Sequence, residues 1–124
     1  IGLAFQISDD LLDLTADEAS FGKTIGGDIL EGKRTMLYVL ANERSASLTK
    51  EGQALLVRLR ERSTTREDIP LARQIFEASG VLADAAALAG LETERAMHAL
   101  DTLPDSTARE HLLAFGAQLL GRLT

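Results

Sequence analysis

The chain has 124 residues, 45% of them hydrophobic and 26% charged, which suits one globular domain with a modest core. It has no cysteine, which excludes a disulfide scaffold, a thiolate metal centre and a cysteine nucleophile. The formal net charge of −6 comes with no basic patch, so a nucleic-acid partner is not expected. His98 and His111 lie far apart without ligand-like spacing, which argues against zinc. No apolar run approaches the ~20 residues that span a bilayer, and no signal peptide is visible. A protein without a transmembrane segment, in the cytoplasm, is the expectation.

Leucine and alanine are abundant and aromatics are only 4%, so the expected fold class is all-α. Ile1 to about Thr15 reads as the first helix, because Leu3, Ile7, Leu11 and Leu14 recur along one face. Gln6, Asp9, Asp10 and Asp13 form a polar stripe on it. Ala16 to Gly32 holds four glycines among charges and reads as an ordered loop or a broken helix. Thr35 caps the next helix, which carries Met36, Leu37, Val39, Leu40 and Ala41. A break follows at Ser45 to Ser47. Thr49 caps a further helix through Leu59, with a polar end at Arg60 to Ser63.

Thr64 or Thr65 starts another helix, with Pro70 in its first turn or marking a shift of its start, and Gly80 at its end. Val81 to Leu103 is a longer helical stretch, in which Ala86, Ala89 and Gly90 would let a neighbouring helix approach. Pro104 breaks it, and Asp105 or Ser106 caps a last helix through Leu120. About six helices are expected, with no strand, no repeat and no linker dividing the chain.

The chemistry concentrates near the start. On a helix, Asp9 and Asp13 lie on one face about 6 Å apart at Cβ, a carboxylate pair with Asp10 beside it. Carboxylate oxygens are hard ligands suited to Mg²⁺, which retains waters and shares substrate phosphate oxygens. An acidic triplet on a helix is more commonly a solvated face, so this motif decides nothing alone. The second motif is Gly22-Lys23-Thr24-Ile25-Gly26-Gly27-Asp28, followed by Glu31-Gly32-Lys33-Arg34-Thr35. Glycines permit tight turns and close approach to a ligand, and lysines suit phosphate as point charges. The alternative is a flexible charged loop. A nucleotide-binding P-loop is disfavoured, because its earlier glycine is absent.

The run Gly2-Leu3-Ala4-Phe5-Gln6-Ile7-Ser8-Asp9-Asp10-Leu11-Leu12-Asp13, then Gly22-Lys23, Gly26, Asp28 and Gly32-Lys33-Arg34-Thr35, resembles the trans-prenyl (polyprenyl) diphosphate synthases. Their pattern is F-Q-x-x-D-D-x-x-D, then G-K, a downstream Asp and G-K-x-T. Ser79-Gly80 and Leu103-Pro104 before a final helix are similar to the family's C-terminal region. The resemblance implies a partial helical bundle of the isoprenoid synthase type. It implies a prenyltransferase of isoprenoid biosynthesis that condenses an allylic diphosphate with isopentenyl diphosphate.

By the same resemblance, Asp9, Asp10 and Asp13 are the Mg²⁺ site on the allylic diphosphate. Lys23 contacts that diphosphate and Lys33 lines the same anionic pocket. Gln6 lies beside the pocket, Phe5 packs near isopentenyl diphosphate, and Asp28 binds a metal-bound water or orients Lys33. A homo-oligomer is implied as well. The sequence departs from the family in holding one DDxxD and in having Leu37 where proline is common. It also begins with Ile1 already in helical pattern. Residues 1–124 are therefore expected to be the C-terminal portion of a prenyl synthase domain, incomplete and inactive alone. Two other readings are a non-catalytic helical partner subunit and a terpene cyclase fragment. The Gly22-Lys23 and Gly32-Lys33-Arg34-Thr35 elements weigh against the cyclase.

Overall fold

A computed structural model describes residues 2–15 and 26–122. The described helices are α1 (Gly2–Thr15), α2 (Gly27–Glu31), α3 (Met36–Glu43), α4 (Lys50–Glu61), α5 (Asp68–Ala78), α6 (Val81–Leu100) and α7 (Thr107–Arg122). A 3-10 turn at Ser45–Ser47 separates α3 from α4. There is no strand among the described residues, and the expected all-α class holds.

The helix starts follow local chemistry. Thr35 accepts a hydrogen bond from the Tyr38 amide at 3.4 Å, and Thr49 accepts one from the Gly52 amide at 3.1 Å. Each satisfies an amide that the first helical turn leaves without a partner. Pro70 falls in the first turn of α5, where its missing N–H costs nothing. Ser106 accepts from the Arg109 amide at 3.1 Å and starts α7.

Three sequence expectations change. The helix that holds Pro70 starts at Asp68 rather than at Thr64 or Thr65, and the Thr65 amide donates to Asp68 in the turn before it. The helix from Val81 stops at Leu100, three residues before Leu103. The amides of Asp101, Thr102 and Leu103 each bond three residues back, and Arg109 Nε takes the Leu100 carbonyl at 2.9 Å. This tightened turn satisfies the last carbonyls of α6 before Pro104 is reached. The close helix approach uses Ala89 as expected, with Ala86 half-buried against the core, but takes Ala85 rather than Gly90. Ala85 and Ala89 are fully buried, on the row that continues to Val81 and Thr93, whereas a Cβ on Gly90 would meet open space. The spacing of four sets the buried row of α6.

The core joins Ile7, Leu11 and Leu14 of α1 to Leu55, Leu56 and Leu59 of α4, Phe76 of α5, and Val81, Ala85 and Ala89 of α6. The α1–α6 packing is the most extensive helix pair. α5 and α6 meet at 71° across Ser79 and Gly80. Arg44 fixes that corner, donating to the Ser79 carbonyl at 3.1 Å and to Asp84 at 2.6 Å. No single described helix is long and apolar enough to cross a membrane. The fold thus clamps α1 between α6 and the short segments α2 and α3, and those segments carry the second motif.

Candidate functional site

α1 carries Gln6, Asp9, Asp10 and Asp13, and the chain returns to it twice through the glycine-bearing segments. At the first return, the Gly26 amide donates to the Asp13 carbonyl at 2.6 Å, and the Asp28 amide donates to Asp13 Oδ2 at 2.9 Å. At the second, the Met36 amide, first in α3, donates to Asp10 Oδ2 at 3.3 Å. A helix N-terminus favours a negative group, so α3 supports Asp10 as a carboxylate. Gln6 Nε2 completes the set, donating to Asp10 Oδ1 at 3.0 Å.

Asp10 and Asp13 are buried, and Asp9 is half-buried. Burial pushes the Asp10 carboxyl above its ordinary range, opposed by the hydrogen bonds from Gln6 and Met36. Lys33 Nζ lies 3.4 Å from Asp28 Oδ1, on an exposed side chain. The charge of Asp28 raises the Lys33 pKa, so Lys33 stays protonated at neutral pH.

Two glycines make this arrangement possible. Gly26 and Gly32, flanking α2, have φ of 84° and 63°, in the left-handed region. A Cβ on Gly26 would sit 2.6 Å from the Ile69 side chain, and one on Gly32 would sit 2.8 Å from the Leu59 carbonyl. The expected loop or broken helix is thus, over residues 26–32, one short helix between two obligatory glycines.

Beside Asp10 is an open groove lined by Leu3, Gln6, Ile7, Lys33, Arg34 and Met36, with Thr35 at the same wall. One side is apolar and the other carries two cations and Asp10. The structure therefore brings together Gln6, Asp10, Asp13, Asp28 and Lys33, with Asp9 one step around α1. Phe5 does not line this groove; its ring centroid lies 6.1 Å from that of Phe115 on α7. Lys23 lies outside the described residues, with Gly22 and Thr24. Sequence reading missed the two backbone amides, of Asp28 and Met36, that orient the carboxylates. The glycine and threonine preceding them were the available signal.

Among the described residues, no three His, Cys, Asp or Glu side chains converge on one point as a closed metal cage. A closed cage is not what Mg²⁺ requires, since it binds through one or two carboxylates plus substrate phosphates. Each carboxylate oxygen has two lone pairs, so the bonds from Gln6 and Met36 leave acceptor capacity on Asp10. The donor set fits a hard divalent cation shared with phosphate.

Residues 1–76 match the family model for polyprenyl synthetase. The short chain isoprenyl diphosphate synthase of Methanothermobacter thermautotrophicus is 38% identical over 122 residues, covering 98% of this chain and 36% of that protein. The all-trans-nonaprenyl-diphosphate synthase (geranyl-diphosphate specific) of Rhodobacter capsulatus is 37% identical over 122 residues, with the same coverage of 98% and 36%. A polyprenyl synthase from Caulobacter crescentus CB15, solved in complex with calcium and isoprenyl diphosphate, superposes with a TM-score of 0.80 at 32% identity. That match covers 99% of this chain and 37% of the other. The chain thus spans about a third of the length of these relatives. Since the match takes in both motifs and the helices that carry them, the chain belongs to the polyprenyl synthetase family.

Proposed function

We propose that this chain forms the second aspartate-rich wall of a trans-prenyl diphosphate synthase, which condenses an allylic diphosphate with isopentenyl diphosphate. In this reading Asp9, Asp10 and Asp13 hold Mg²⁺ against the allylic diphosphate. Lys23 and Lys33 contact the diphosphate, with Gln6 and Asp28 beside that pocket and Phe5, outside this groove, packing near isopentenyl diphosphate. The observation that carries it is the pair of buried carboxylates, Asp10 and Asp13, each oriented by a backbone amide from a different motif segment. Asp10 receives its hydrogen bonds from neutral donors and burial raises its pKa, so a cation shared with the diphosphate would stabilise its ionised form.

When bound, Mg²⁺ stabilises the negative charge that develops on the departing diphosphate. Lys33, held protonated by Asp28, offers that charge a fixed cation on the groove wall. Gln6 and the Met36 amide keep Asp10 oriented before substrate arrives, so little reorganisation is left for the reaction itself. Leu3, Ile7 and Met36 give the groove an apolar side against which an allyl group would pack. The reaction needs no side-chain nucleophile, in keeping with a chain without cysteine.

A homo-oligomer accompanies this proposal. Leu112 and Phe115, one turn apart on α7, are exposed and form an apolar strip. Such a strip favours burial against further helices.

Mg²⁺-dependent prenyl transfer by the protein made from its own reading frame tests the reading. Asp9→Ala is expected to lower the chemical step by about 10²–10³-fold, with little change in melting temperature. Equal turnover by a folded Asp9→Ala protein would sink the role of Asp9.

A further inference from the structure

α2 has five residues, too few to be stable by its own hydrogen bonds, so its position depends on what grips it. One grip is Asp13, through the Gly26 and Asp28 amides. The other is the turn between α4 and α5. There the Thr64 hydroxyl donates to the Ile29 carbonyl in the middle of α2. The Leu59 carbonyl and the Arg62 side chain close on Gly32 at its end.

That turn is locked in its own right. Asp68, at the start of α5, is buried and accepts Arg58 Nε at 3.2 Å and Nη2 at 2.7 Å. It also accepts the Thr65 amide at 3.0 Å. A continuous path therefore runs from the Arg58–Asp68 pair through Thr65 and Thr64 to Ile29. From there, one residue back along α2, it reaches the Asp28 amide and the Asp13 carboxylate.

We propose that Thr64 is a positioning residue: its hydroxyl holds α2 so that the Asp28 amide orients the Asp13 carboxylate and the Asp28 carboxylate holds Lys33. This rests on the reading of Asp13 as a ligand for a divalent cation. A group that fixes the orientation of a ligand side chain sets its affinity without touching the metal, and loss of such partners costs about 10–100-fold. Thr64 acts one bond further out, so the lower end applies.

Thr64→Val keeps the side-chain shape and removes the hydroxyl. Thr64→Ser keeps the hydroxyl, and Thr64→Ala lacks both the hydroxyl and the β-branch should valine disturb the turn. Two readouts are taken on the protein as made from its own reading frame. One is hydrogen exchange at the Asp28 amide. The other is affinity for Mn²⁺ in the presence of inorganic pyrophosphate.

In Thr64→Val the Asp28 amide is expected to exchange about tenfold faster and Mn²⁺ to bind about tenfold more weakly, with both restored in Thr64→Ser. A folded Thr64→Val protein with Asp28 exchange at the wild-type rate overturns the proposal. So does faster exchange with unchanged Mn²⁺ affinity. A wild-type protein that takes up no Mn²⁺ beside pyrophosphate overturns the metal reading itself, and the Asp28 exchange rates then still decide whether Thr64 holds α2.

Discussion

Asp10 and Asp68 are buried to the same degree, 6% and 7% exposed, yet their surroundings push their carboxyl groups in opposite directions. Asp68 meets the Arg58 guanidinium in a two-pronged pair, and those hydrogen bonds hold its pKa below the ordinary value. Asp10 meets the neutral amides of Gln6 and Met36, and burial raises its pKa. Burial alone therefore does not distinguish a structural carboxylate from a functional one; the partner does. A carboxylate with its own arginine is charge-compensated, and the pair serves the fold. A carboxylate hydrogen-bonded only by dipoles, with the charge of Lys33 opposed by that of Asp28, retains a demand for positive charge, which a divalent cation meets.

The largest effect should fall on Asp68. Asp68→Ala strips two hydrogen bonds from Arg58 and one from Thr65, and leaves the guanidinium without its partner. Arg58 retains partial exposure, so the loss is expected near 2 kcal/mol rather than the 3–5 of a fully buried pair. At this chain length that is a fall of about 8 °C in melting temperature. A change under 2 °C would mean that the pair contributes nothing and that the two carboxylates are not different in kind.

Next is the activity of Asp10→Asn, expected to fall about 10–100-fold in Mg²⁺-dependent prenyl transfer. The same variant should be more stable at neutral pH than the wild type, by about 1 kcal/mol, because a neutral amide carries no desolvation penalty as an anion. Thermal denaturation without divalent cations reads this directly. Lower stability in Asp10→Asn would show that Asp10 serves the fold as Asp68 does, and the comparison would collapse.

Much of this architecture is legible in the sequence, and the illegible part has one physical cause. Thr35, Thr49 and Ser106 cap helices through amides three residues away, so local chemistry announces them. The motif residues Gln6, Asp10 and Asp13 are likewise placed by helical spacing. The Met36 amide on Asp10 and the Asp28 amide on Asp13 come from 26 and 15 residues away, and no periodicity within α1 encodes them. Phe5 illustrates the same limit. Its helix is evident, but its contact with Phe115, near the other end of the chain, is not encoded within α1. The stop of α6 at Leu100 depends on Arg109 in the following helix, so Pro104 marks the break only approximately.

The smallest and sharpest test is in acid. Asp68 has a folded pKa below the ordinary 3.8, so its contribution is complete above 3.8 and is lost as pH falls through the folded value. Asp10 has a folded pKa above 3.8, so the folded state binds its proton more readily than the unfolded state. Its ionised form weakens the fold above the folded pKa, and that deficit disappears as pH falls towards 3.8. Melting curves of wild type, Asp10→Asn and Asp68→Asn across pH 2 to 7, without divalent cations, separate the two. The gap between Asp10→Asn and wild type should be widest at neutral pH and close on the way down to about 3.8. The gap between wild type and Asp68→Asn should hold steady to about 3.8 and close only below it. If both gaps close in the same window, the two carboxylates share one electrostatic setting. The partner would then no longer separate the structural carboxylate from the one assigned to the metal.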